Sequence, residues 1–239
     1  MKHFARLLQL VLLLSVAAAG TAQRSVYVLA RHLTYDVVYD YRHMAPAVVS
    51  YILDEPDFRG TITEKPKHFK MDYRLPKPRV KNDAFTFSGY QRGHLCPSGD
   101  RDSRKDWFKD TFYTSNILPM TPDCNAGPWK EIELKCRKLV MGGHRLKICC
   151  GPMWSDSFPA DSVAAVLIAA ASNTNVRPSI PEFLWKVAKC MNHDGEYWCW
   201  IVPNKTGYVP SSRCTVDYYS IKSRIAPAIS KYVDLWIKK

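Results

Sequence analysis

With 239 residues, 46% of them hydrophobic and 12% aromatic, the chain has enough apolar material for a real core and falls within the range of one large domain. Disorder is therefore excluded as the default. A formal net charge of +12 favours polyanionic partners, nucleic acid or an anionic membrane surface, but assigns no chemistry by itself.

The first 22 residues read as an export signal. Lys2 and Arg6 form a short basic start, Leu7 to Ala19 is apolar, and Gly20-Thr21-Ala22 offers small residues for cleavage. The apolar run is shorter than the roughly 20 residues of a membrane span, and no later stretch approaches that length. The expectation is thus a cleaved signal peptide and a periplasmic or extracellular protein with no stable membrane association. Losing Lys2 and Arg6 brings the charge from +12 to +10.

Residues 23–239 show no repeat, linker or low-complexity tract, so a single domain is expected there. Short strands rich in β-branched and aromatic residues are predicted at Val26 to Ala30, Tyr35 to Tyr41 and Ala47 to Leu53. A basic stretch with aromatics and three prolines follows from Lys65 to Lys81, where proline forbids a long helix or a central strand. It reads either as an arm along a nucleic-acid backbone or as a solvated loop. A strand carrying Arg92 and His94, a second strand at Phe112 to Leu118, and a helix at Ala126 to Val140 come next. Pro128 lies in the first turn of that helix and Gly142-Gly143 ends it.

Further strands are predicted at Leu146 to Cys150, Phe183 to Cys190 and Tyr197 to Val202, and a helix over Ser220 to Ile237. Ser162 to Ala171 is apolar and alanine-rich and fits either state. Strands and helices so interspersed give an α+β class, an antiparallel sheet flanked by helices.

Eight cysteines in an exported chain suggest disulfides. Asn192-His193-Asp194-Gly195 reads as a hairpin turn, which makes Cys190 with Cys199 the favoured pair. Adjacent Cys149 and Cys150 should face opposite sides of a strand. A zinc site at Cys149, Cys150 and His144 is disfavoured because C-x2-C spacing is lacking.

Three motifs carry chemistry. Arg92-Gly93-His94, followed by Leu95-Cys96-Pro97-Ser98, supplies a cation and a base. Ser115-Asn116-Ile117-Leu118-Pro119 and Asn125-x-Gly127-x-Trp129, with Glu133 eight residues after Asn125, complete the set. In this order and spacing they resemble the DNA/RNA non-specific endonucleases of the ββα-metal class, the family of secreted bacterial sugar-non-specific nucleases and their mitochondrial relatives. The ββα unit would occupy about residues 85–140, and weaker likeness extends from about Tyr35 to Val202.

The resemblance implies a magnesium-dependent endonuclease, with manganese as a substitute ion, that cleaves DNA and RNA and leaves 5′-phosphate ends. His94 would be the general base, Asn125 the direct metal ligand and Asn116 a polar residue ordering the site. Glu133 would hold metal-bound water, and Arg92 would contact phosphate, with Arg101 as a second substrate-binding cation. The physical chemistry agrees. A near-neutral histidine takes a proton from water, and magnesium needs only one or two protein oxygens beside phosphate and water. Eight helical residues rise about 12 Å, so Asn125 and Glu133 do not share one ion unless the backbone departs from helix. The family commonly reads Asp-Arg-Gly-His, whereas this chain has Gln91, one negative charge fewer beside the site. Two other readings therefore stand: a nuclease-fold protein impaired by Gln91 that only binds nucleic acid, and a disulfide-stabilised secreted binding protein.

Overall fold

The computed structural model describes residues 26–155 and 176–238. The leader, its cleavage point and Ser162 to Ala171 lie outside these residues. The strands are β1 (Tyr27–Arg31), β2 (Tyr35–Asp40), β3 (Ala45–Leu53), β4 (Gln91–His94), β5 (Ile117–Met120), β6 (Leu146–Met153), β7 (Phe183–Cys190), β8 (Tyr197–Pro203) and β9 (Thr215–Val216). The helices are α1 (Lys105–Asp110), the single turn α2 (Pro122–Cys124), α3 (Lys130–Met141), α4 (Tyr218–Lys222) and α5 (Pro227–Lys238).

Seven strands form one antiparallel sheet in the order β1-β2-β3-β6-β7-β8-β9, and β4 pairs with β5 in a separate two-stranded ribbon. This is the α+β architecture the interspersed elements predicted. Because successive side chains alternate faces, each central strand feeds two cores. Cys150, Leu184 and Ala188 join the core beneath the ribbon and α3, with Trp129, Ile132 and Cys136. Cys149, Trp185 and Val187 join the opposite core, which α4 and α5 cover with Ile221, Ile229, Val233 and Ile237. The expected opposition of Cys149 and Cys150 is observed.

Several boundaries moved for local reasons. Asn116 lies in a 3-10 turn (Thr114–Asn116) before β5, and β5 continues through Pro119 because a ribbon edge tolerates a residue without an N–H. The C-terminal helix is two helices, since Pro227 starts a new one. The predicted helix at Ala126 to Val140 begins as a π turn over Asn125–Trp129, where Gly127 leaves helical geometry at φ −96°, ψ −114°, and becomes regular only at Lys130.

The disulfide expectation is corrected. All eight cysteines are free thiols, every one of them buried. The turn at Asn192–Gly195 does join β7 to β8, with Gly195 at φ +82°. Its register sets Cys199 opposite Val187, whereas Cys190 donates its N–H to Glu196 at the mouth of the hairpin. The two thiols are thus several residues out of register.

Candidate active site

The ribbon positions the base. His94 ends β4 opposite Ile117, and two residues earlier Arg92 faces Pro119. Period-two geometry puts Arg92 and His94 on one side of the strand. The Phe69 ring, from the basic proline-rich stretch, lies 5.4 Å from the His94 ring and 5.7 Å from the Arg92 guanidinium. Phe112 closes the other side of His94 edge-on at 4.9 Å. Gly93 fits between them because a Cβ there would stand 2.2 Å from the Met120 sulfur.

This apolar wall sets the protonation state. Burial, reinforced by the positive charge of Lys65, lowers the His94 pKa from 6.5 to about 3, so the ring is neutral near pH 7. Its buried Nε2 has no hydrogen-bond partner, which leaves a lone pair or a proton available to a substrate atom. Arg92 is half-buried. Its Nη2 donates to the Asn82 carbonyl at 2.9 Å and to Thr86 Oγ1 at 3.3 Å, while its Nε is unpartnered.

Asn116 does not face a substrate. It is fully buried, donates from Nδ2 to the carbonyls of Cys96 and Thr111, both at 2.9 Å, and accepts the Cys96 N–H at 2.9 Å. The two bonds to Cys96, along with a backbone bond from Leu95 N–H to the Asn116 carbonyl, fix the chain immediately after His94, and the third ties it to Thr111.

The π turn carries Asn125 and Trp129, and both are tied to β4. Asn125 Nδ2 donates to Gln91 Oε1 at 2.8 Å, and Trp129 Nε1 donates to the His94 carbonyl at 2.9 Å. With its amide nitrogen committed to Gln91, Asn125 presents its carbonyl oxygen, to which no side chain or backbone donor among the described residues is bonded. A free hard oxygen on an anchored amide suits magnesium. Gln91, read from the sequence as a missing charge, is an anchor for the turn, and Trp129, buried in the core, fastens the turn to the strand as well.

Glu133 faces a set of charges of its own. It sits one turn into α3, and among the described groups those acting on it are Lys186, Asp100, Arg137 and Lys130. Burial raises its pKa to about 7, against the pull of Lys186. Lys186 is fully buried on β7, without a hydrogen bond, and its ammonium lies 4.4 Å over the Trp129 ring. The link between Glu133 and the His94 strand therefore runs through Lys186 and Trp129. The π turn also removes the straight-helix premise on which the separation of Asn125 and Glu133 was argued.

Arg101 is a correction. It is 1% exposed, and its guanidinium donates to Thr34 Oγ1, the carbonyls of Thr34, Ile52 and Asp100, and Asp57. A cation so occupied has no face for phosphate. Neighbouring Asp100 is fully buried too, accepts from Tyr51 Oη at 3.1 Å and pairs with Arg137 at 2.5 Å. What hid both was spacing, since their partners other than each other lie from 37 to 67 residues away in the chain.

Known proteins place this geometry. The family profile described as DNA/RNA non-specific endonuclease matches residues 16–226. The mitochondrial nuclease EXOG of Danio rerio is 30% identical over 150 residues, 62% of this chain and 43% of that one. A nuclease of Nostoc sp. is 31% identical over 134 residues, 55% of this chain and 44% of its own length. The matches thus span less than half of these relatives. A solved structure of an EndoG/EndoGI complex superposes at a TM-score of 0.63, with 21% identity over 82% of this chain and 83% of that one, which shows a shared fold. The chain, with its ββα unit resting on an antiparallel sheet, belongs to the DNA/RNA non-specific endonuclease family, a family of nucleic-acid hydrolases.

Proposed function

We propose that this chain hydrolyses phosphodiester bonds in DNA and RNA with little sequence preference, using magnesium, or manganese in its place, and leaving 5′-phosphate ends. The observation that carries the reading is the double clamp of the Asn125–Trp129 turn onto the strand of His94, at 2.8 Å and 2.9 Å. It holds a free amide oxygen and a neutral, unpartnered imidazole on two elements that cannot drift apart.

In this reading Asn125 holds the metal, with Glu133 contributing through water. When bound, the ion would neutralise phosphate charge and stabilise the leaving oxygen. His94, neutral at pH 7, takes the proton of the attacking water at its imidazole. Arg92 orients the phosphate through the guanidinium N–H groups that Asn82 and Thr86 leave free. Asn116 positions the backbone after His94 and touches no substrate. The low pKa makes His94 a weak base before substrate binds, and a bound phosphate anion raises it toward the range where proton transfer is efficient. Binding rests mainly on phosphate contacts and so weakens steeply as salt rises.

Purified residues 23–239 with magnesium should degrade plasmid and RNA, and a chelator should stop them. His94→Ala should lower kcat/KM by at least about 10²-fold with unchanged circular dichroism. Persistent substrate with clear binding would favour the binding-only reading that Gln91 raises. Product ends should accept kinase label only after phosphatase treatment.

Export is the second element of the proposal. The apolar run Leu7 to Ala19 supports it, whereas EXOG and endonuclease G bear mitochondrial names. N-terminal sequencing of protein recovered outside the cytoplasm should begin near Gln23. Among the described residues no helix is long and apolar enough to cross a membrane.

A further inference from the structure

Helix α3 has the nuclease site before its first turn and a second cluster just past its last. Twelve helical residues separate the two ends by about 18 Å. At the far end the chain turns through Gly143, at φ +96°, and presents His144 to the mouth of the β7–β8 hairpin. His144 Nδ1 lies 3.4 Å from Cys190 Sγ and 3.4 Å from Glu196 Oε2, and all three ligand-type atoms fall within 4.8 Å of one another.

We propose that His144, Cys190 and Glu196 form a zinc-type metal site, separate from the nuclease centre. Zinc bonds of about 2.0 Å to nitrogen and oxygen and about 2.3 Å to sulfur give tetrahedral edges of about 3.5 Å for N···S and about 3.3 Å for N···O. The two observed separations match those edges. The donor set is right in kind as well, since thiolate and imidazole select zinc over magnesium. One thiolate and one carboxylate balance the charge of a divalent ion.

The surroundings hold the donors in place. Asn192 Oδ1 accepts both the Cys190 thiol at 3.1 Å and the Arg145 N–H at 2.9 Å, and Asn192 Nδ2 donates to the Gly143 carbonyl at 2.8 Å. When a metal binds, Cys190 gives its proton to solvent, and Asn192 keeps the Arg145 contact. The His144 ring packs edge-on against Trp198 at 5.3 Å. Cys190 is buried while the His144 and Glu196 side chains are 23% and 45% exposed, so solvent reaches the cluster from the side of those two, and the His193 ring lies 5.1 Å from that of His144. The sequence pointed away from this site because the thiol comes from Cys190, not from Cys149 or Cys150, whose side chains are buried in the sheet's two cores.

Cobalt(II) titration of the chelator-stripped full chain tests this, because the nuclease centre offers no cysteine and cannot give a thiolate-to-cobalt charge-transfer band. The expected result is such a band saturating near one equivalent and displaced by zinc. Zinc at about 100 times its Kd should also raise Tm by roughly 5–10 °C. Cys190→Ser should abolish the band. Should that variant not fold, Glu196→Gln at the surface should weaken cobalt binding by at least about tenfold. Absence of the band in the wild type, its persistence in Cys190→Ser, or unchanged affinity in Glu196→Gln would each overturn the assignment.

Discussion

The two faces of the seven-stranded sheet are built on different principles. The face under α4 and α5 is closed by a stripe of Ile225, Ile229, Val233 and Ile237 against Val48, Trp185 and Val187, mostly through apolar contact. The face under the ribbon buries charge. Asp72, Asp100, Arg101, Asn116 and Lys186 are all within about the first percent of exposure, and all but Lys186 are hydrogen-bonded. Apolar contacts are non-directional, so the first face tolerates small shifts. Buried polar networks fix geometry at the cost of being intolerant to loss of one member. A site that must hold His94 and Asn125 in register sits on the second kind of face.

The sharpest way to break this comparison is to remove one partner on each side. Asp100→Ala strands Arg137 and the Tyr51 hydroxyl near buried Lys186, and should cost about 3–5 kcal/mol. Ile229→Ala only opens a cavity beside α5, at about 2–4 kcal/mol. Urea unfolding measures both. In the folded fraction, kcat/KM should fall for Asp100→Ala, since Asp100 bears on Glu133 and Lys186, and stay unchanged for Ile229→Ala. A larger activity loss from Ile229→Ala would reverse the assignment of the faces.

The apolar face was the more legible in the sequence. Phe183–Cys190 was predicted to the residue, because alternation and β-branching are local signals, and the helical stripe near the C-terminus needed only a break at Pro227. On the other face, motif spacing brought out Arg92, His94, Asn116, Asn125 and Glu133, and the groups that support them were hidden. The π turn at Gly127 breaks a pattern that reads as plain helix, and Lys186 shares its strand with Lys189, with nothing local to mark which of the two is buried. The burial of Arg101 and Asp100 was hidden for the same reason: burial of a charge depends on partners far off in the chain, and a single sequence does not print those pairings.

The charged face also carries a pH signature that the apolar face lacks. His32 is fully buried, with Nε2 3.1 Å from Asp72 and Nδ1 3.3 Å from Asp110, and Arg74 bridges both carboxylates. Burial alone would lower its pKa, but the hydrogen bonds to Asp110 and Asp72 outweigh it and raise the value above 6.5. A raised folded-state pKa means stability that is complete below about pH 6.5 and lost as pH rises through the folded value. The wild type minus His32→Gln difference in unfolding free energy should therefore shrink above pH 6.5, with a slope of at most about 1.4 kcal/mol per pH unit for one proton. A difference that stays flat from pH 6 to 9 would show that folding leaves the His32 pKa unshifted, and one that rises through pH 6.5 would show His32 uncharged in the fold.

The smallest effect bears on the residue that separates geometry from charge. Gln91 stands where the family resemblance implied a carboxylate, yet its Oε1 performs the anchoring bond to Asn125 Nδ2 at 2.8 Å. If anchoring is what the site needs, Gln91→Ala should raise the magnesium concentration for half-maximal cleavage by about tenfold, in line with the loss of an outer-shell partner. Gln91→Asp keeps an acceptor oxygen, though one methylene shorter, and adds a negative charge near the metal position. It should lower that concentration only a few-fold, about 1 kcal/mol or less for a solvent-exposed charge. Should Gln91→Asp instead raise activity by orders of magnitude, the missing charge rather than the clamp would limit this chain, and the polar face would owe its function to field more than to fixed geometry.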